Sequence, residues 1–146
     1  MLTVTRDSQF GDFLSSQDTF RVYKDGRLLF SSRKDRLMPL IEYLDNSVPH
    51  QEDVTVFDRI VGNAAALLLT FVSCRQVFSA LGSEMAVQTL ESSGIKYHFN
   101  EIVDCIKDDS GQDICPMERL SLNKSPDEFY RALKERIRGS SSAGRG

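Results

Sequence analysis

The chain has 146 residues, 40% of them hydrophobic and 27% charged, with a net charge of −3. That is the mixture of one globular domain with a proper core, and it holds no block of Lys and Arg to grip nucleic acid. The start, MLTVTRDSQF, has no apolar signal region, and the longest apolar run, residues 64–69, is far too short to span a bilayer.

Residues 7–14 are expected to form a short helix carrying Phe10, Phe13 and Leu14 on one face, weakened by Gly11. The next segment, FRVYKDGRLLFSS, is the clearest hairpin in the chain. Residues 20–23 and 28–30 are strand-like, and Asp25-Gly26 is a two-residue turn signal. A helix is expected over residues 36–44, with Asp35 as N-cap and Pro39 in the first turn, where backbone N–H groups are unpaired anyway. Residues 46–53 read as a polar loop that includes a solvated His50. Residues 54–57 then read as a strand buried on both faces.

Gly62-Asn63 separates that strand from residues 64–72, a helix apolar all round and therefore central. Residues 76–81 form another strand. Gly82-Ser83 opens a helix over residues 84–91 that Gly94 ends. Residues 96–100 give one more strand. Ser125-Pro126-Asp127-Glu128 matches a capping box with Pro at N1, followed by Phe129, Leu133 and Ile137 on one helix face. A hairpin followed by strand–helix units predicts a mixed sheet with helices on both faces, a three-layer α/β/α sandwich. Residues 1–138 make up that single domain. The tail GSSSAGRG, residues 139–146, is small, polar and core-free, and is expected to be disordered.

Four blocks in this order carry a family resemblance: FRVYKDGRLLFSS, VFDRIVGNAAALLL, SALGSEMAVQTLESSGIKYHF and CPMERLSLNKSPDEFY. Over roughly residues 20–130 the chain resembles the DUF1893 family. The resemblance implies a cytidine-deaminase-like fold and no assigned activity. A zinc deaminase needs His-x-Glu at the start of one helix and Pro-Cys-x-x-Cys at the start of the next. The corresponding places, residues 31–35 and 57–65, hold neither motif, so no zinc, and no other cofactor, is expected.

Asp58 to Asn63 is expected to leave the carboxyl end of a buried strand and enter a buried helix, the edge where ligands bind in open α/β sheets. Gly62 permits close backbone approach, and the N–H groups at Asn63 favour an anion. Asp58 could bind a ribose hydroxyl or an amine, or move a proton; the plainer reading is that Asp58 and Asn63 satisfy backbone groups. Ser83 and Glu84, at the next strand-to-helix junction, could converge on the same pocket, although Ser83 is also an ordinary N-cap. Arg33 and Arg36 cluster where a phosphate could be met, or form a solvated basic turn.

The three cysteines, Cys74, Cys105 and Cys115, are expected to be reduced in a cytoplasmic protein. If Pro116 is N1 of a short helix, Cys115 sits at its N-cap, where the helix start favours a thiolate nucleophile, redox thiol or soft-metal ligand. A small buried hydrophobe is the plainer role. His98 alternates with Tyr97 and Phe99 and is expected to pack or meet solvent. Three functions follow as expectations. The first is binding of a nucleotide- or nucleoside-like ligand by Asp58, Gly62, Asn63, Ser83 and Glu84, with Arg33 or Arg36 on a phosphate. The second is a metal-independent enzyme using Asp58 and Cys115, which requires both to reach one pocket. The third is a homo-oligomeric interaction module.

Overall fold

Asp25 and Gly26 both take positive φ, 50° and 81°, the geometry of a two-residue turn matched to strand twist. They close β1 (Phe20–Lys24) antiparallel onto β2 (Arg27–Ser32). The computed structural model describes residues 6–46 and 51–143. On its other side β1 pairs antiparallel with β3 (Val54–Val61), setting Val22 opposite Val56 and Phe20 opposite Asp58. β3 pairs parallel with β4 (Cys74–Ser83), and β4 parallel with β5 (Lys96–Val103). The mixed sheet therefore runs β2-β1-β3-β4-β5.

One face of the sheet is covered by five helices: α2 (Met38–Asn46), α3 (Asn63–Leu69), α4 (Glu84–Ser92), α5 (Pro116–Ser121) and α6 (Pro126–Ala143). Every residue of α3 is buried, the apolar run from Ala64 to Leu69 behind Asn63, and it packs on α2, α4, α5 and α6. Val22, Val54, Val56, Leu90, Phe129 and Leu133 surround it, each fully buried aliphatic contributing about 1.5–3 kcal/mol. The helix α1 (Arg6–Ser15) covers the other face. There Phe10 and Phe13 pack on Phe57 at ring distances of 5.3 and 5.7 Å, with Tyr23 and Phe78 completing the cluster. The expected three-layer α/β/α arrangement is the one observed.

Several boundaries differ from the sequence expectation. β3 does not end at Phe57 but continues through Asp58, Arg59 and Ile60 to Val61, so the expected loop is strand. α2 starts at Met38 because Arg36 takes a left-handed φ of 59°; Asp35 offers Met38 a backbone carbonyl at 3.2 Å in place of a side-chain cap. Pro39 still falls in the first turn. α3 begins at Asn63 and stops at Leu69, short of the expected residue 72, and Cys74 opens β4. Its buried thiol, donating to the Gln76 carbonyl at 3.0 Å, is pushed up to about 12 by desolvation. α6 runs past Gly139 into the first part of the expected tail, and residues 144–146 lie outside the described residues, as does His50.

Candidate functional site

β3 carries an aspartate and an arginine side by side, and their side chains go to opposite faces of the sheet. Arg59 reaches the α1 side. Its guanidinium lies 4.7 Å from the Phe13 ring centroid and donates to the carbonyls of Phe13, Leu14, Ser16 and Asp18 at 2.7–3.1 Å. These include carbonyls that the end of a helix leaves without partners, so Arg59 fastens α1 to the sheet.

Asp58 turns the other way, into a cleft of about 470 Å³ between the end of β3, the start of α3, the segment before α2 and the segment before α5. Asp58 is 8% exposed, and one carboxylate oxygen accepts the Arg59 N–H at 2.8 Å. Desolvation raises the carboxyl to about 8, against the smaller opposing pull of backbone N–H groups and Arg59. That shift favours the protonated carboxyl, which can donate a hydrogen bond, at neutral pH. Leu37, Ala64, Ala65, Ile106 and Met117 make the apolar walls, and Arg36 and Lys107 bring cationic groups. Arg36 pairs with Asp109 at 2.8 Å, both side chains exposed, joining the two segments across the mouth.

The start of α3, where sequence predicted room for an external anion, is already filled. Glu118 on α5, 6% exposed, accepts the N–H groups of Asn63 at 2.7 Å and Ala64 at 2.9 Å. An added Cβ at Gly62 would lie 2.4 Å from the Glu118 carboxyl carbon, so the close approach that needs glycine is to this carboxylate. Burial raises the Glu118 carboxyl, and the two N–H donors partly offset that. The side chain of Asn63 is buried and committed: it donates to Ser121 Oγ at 3.0 Å and accepts from Thr89 Oγ1 at 2.6 Å. It braces α3 against α5 and α4 and does not line the cleft.

Of the other residues singled out, Gly62, Arg36 and Cys115 line the cleft with Asp58. Cys115 is the N-cap of α5 with Pro116 at N1, as expected, so the two candidate catalytic groups reach one pocket. Ser83 is fully buried and caps α4 by accepting from Ala86 N–H at 3.1 Å, while Glu84 is exposed; neither lines the cleft. Arg33 is also outside the lining, its guanidinium donating to Asp18 and Gln17. His98 packs on Phe78 at 5.5 Å, opposite the Tyr97–Phe99 pair. Sequence reasoning missed Glu118, Arg59, Lys107 and Asp109. No local pattern marks them, because each acts on residues more than forty positions away or on the cleft itself. Among the described residues no cluster of three or more His, Cys, Asp or Glu side chains is placed to hold a metal ion, and no helix is long and apolar enough to cross a membrane.

Residues 11–137 match the profile of a domain of unknown function, DUF1893. The fold is also that of the crystal structure of a DUF1893 family protein from Thermotoga maritima. The two superpose with a TM-score of 0.82 over 92% of each chain at 24% sequence identity. No protein with a curated description matches the chain.

Proposed function

We propose that this chain, which belongs to the DUF1893 family of unknown function, binds a small nucleoside- or nucleotide-like ligand in the cleft at the carboxyl end of β3. The observation that carries this reading is Asp58, a buried carboxyl that faces the cleft, where desolvation pushes it up to about 8 and so favours the protonated form at neutral pH. A proton-bearing carboxyl offers one donor and one acceptor side by side, the pairing presented in reverse by the edge of a nucleobase. Apolar walls at Leu37, Ala64, Ala65 and Met117 suit a flat ring, and Lys107, beside the Arg36–Asp109 pair, suits a phosphate at the mouth. The cytidine-deaminase-like relationship implied by the resemblance fits the mixed sheet and a cleft at the start of α3. There Glu118 takes up the Asn63 and Ala64 N–H groups, so a ligand would be met by Asp58 and the cleft walls and not by the start of α3.

A thermal-shift screen with nucleosides, nucleotides and nucleotide sugars tests the reading. A ligand at about 100 times its Kd stabilises the folded chain by roughly 2.7 kcal/mol. Asp58→Ala should abolish the shift, whereas Asp58→Asn, which copies the neutral carboxyl, should retain it. No shift from any compound, or a shift that survives Asp58→Ala, would end the proposal. The presence of Cys115 on the same cleft supports a second reading, a metal-independent enzyme with Cys115 as nucleophile and Asp58 as its acid. The two Asp58 variants separate the readings, because asparagine can replace a bound proton but cannot transfer one.

A further inference from the structure

We propose that β5 is the seat of a two-fold dimer, in which the strand pairs antiparallel with β5 of a second copy, centred on Asn100. The sheet ends on β2 and β5. β2 has six residues, and its ladder with β1 is broken by an irregularity between Val22 and Tyr23, a device that turns an edge away from further pairing. β5 has eight residues in register with β4, without such a break and without proline, and among the described residues no element pairs with its outer edge. A strand of that kind presents a row of free N–H and C=O groups to another strand.

Charge and face decide the occupant and the register. A two-fold axis perpendicular to the sheet keeps each face on its own side, so residues brought opposite one another must share a face. Centring on Asn100 sets Lys96 opposite the partner's Asp104, the first residue past the end of β5, at both ends of the pairing. Tyr97 then meets the partner's Val103, and His98 covers the partner's Ile102, which is 50% exposed in the single chain. The side chains of Lys96, Asn100 and Asp104 are exposed and make no hydrogen bond or ion pair among the described residues. The neighbouring registers are poorer. Centring on Glu101 sets that carboxylate against its own copy, and centring on Phe99 leaves Lys96 facing the partner's Ile102. The strand is therefore self-complementary in the Asn100 register, and the pairing makes one continuous sheet across both copies.

Sedimentation velocity on the full chain, from micromolar to sub-millimolar concentration, should show a reversible dimer. Lys96→Glu sets two carboxylates opposite each other at both ends and should weaken the dimer by roughly tenfold; Asp104→Lys should do the same with two cations. The double variant Lys96→Glu/Asp104→Lys restores opposite charges and should recover the original affinity. All of these changes are at exposed side chains, so unchanged melting of the monomer serves as the control. Hydrogen exchange of the β5 amides should slow as concentration rises. A chain that stays monomeric overturns the proposal. So does a dimer indifferent to Lys96→Glu, a double variant that fails to recover, or β5 protection independent of concentration, which would mean that another part of the same chain covers the edge.

Discussion

Asp58 holds its proton to about pH 8 because burial strips water from the carboxyl, whereas the same group ionises near 3.8 in the unfolded chain. Between those values the folded state binds more protons than the unfolded one, so stability falls as pH rises, and the loss is complete above about 8. The slope owed to one such group is at most about 1.4 kcal/mol per pH unit. Asp58→Asn should therefore be the more stable protein at pH 7, by a few kcal/mol, with the gap closing toward acid pH. Urea unfolding at several pH values measures this; a wild type as stable as the variant at neutral pH would show that the carboxyl is ordinarily ionised. Glu118, also raised by burial, adds a slope of the same sign that the Asp58 variant retains. Nothing in the local sequence distinguishes Asp58 from a loop aspartate. A charged pair after Val-Thr-Val-Phe reads as the end of a strand, whereas pairing with β4 runs on to Val61 and Arg59 is tied to carbonyls at the end of α1 and just past it, 41 to 46 residues away.

The elements that carry the cleft are joined by two polar clamps. Arg59 holds α1 through backbone carbonyls, and Arg59→Ala should cost about 2–4 kcal/mol and speed hydrogen exchange along α1 before the rest of the chain. Uniform acceleration across the sheet would instead mean that α1 has no local stability governed by this residue. Glu118 holds α5 to α3. Removing it in Glu118→Ala leaves the Asn63 and Ala64 N–H groups buried and unpaired, also at about 2–4 kcal/mol. Gly62→Ala displaces the same carboxylate by steric contact, so the double variant should cost clearly less than the sum of the singles in chemical denaturation. Strict additivity would mean the two residues do not act on one another. Caps and turns within a few residues were legible: Ser83 caps α4, and Ser125 and Glu128 exchange hydrogen bonds at 2.9 and 3.2 Å as a capping box should. The Glu118 clamp spans more than fifty positions, and a sequence reading bound to local periodicity assigned its place to a ligand.

At the scale of the whole molecule, the fold class followed from the order of the elements, because a hairpin and two strand–helix crossovers admit few sheets. The composition of the site followed only in part. Asp58, Gly62, Arg36 and Cys115 converge, since they stand at the carboxyl end of β3 or on segments folded over it. Ser83 does not, because its hydroxyl is spent within α4 and buried beneath it. The cleft is thus built by β3, α3, the turn before α2 and the segment before α5, with Asp58 and Glu118 as its two buried carboxyls among the described residues. The most direct test is the affinity of the best ligand from the nucleotide screen, measured by calorimetry between about pH 6 and pH 10 on wild type and on Asp58→Asn. The account predicts binding that is constant below about pH 8 and falls about tenfold per unit above it in the wild type, with a flat profile in the variant. Profiles that coincide in the two proteins would contradict it.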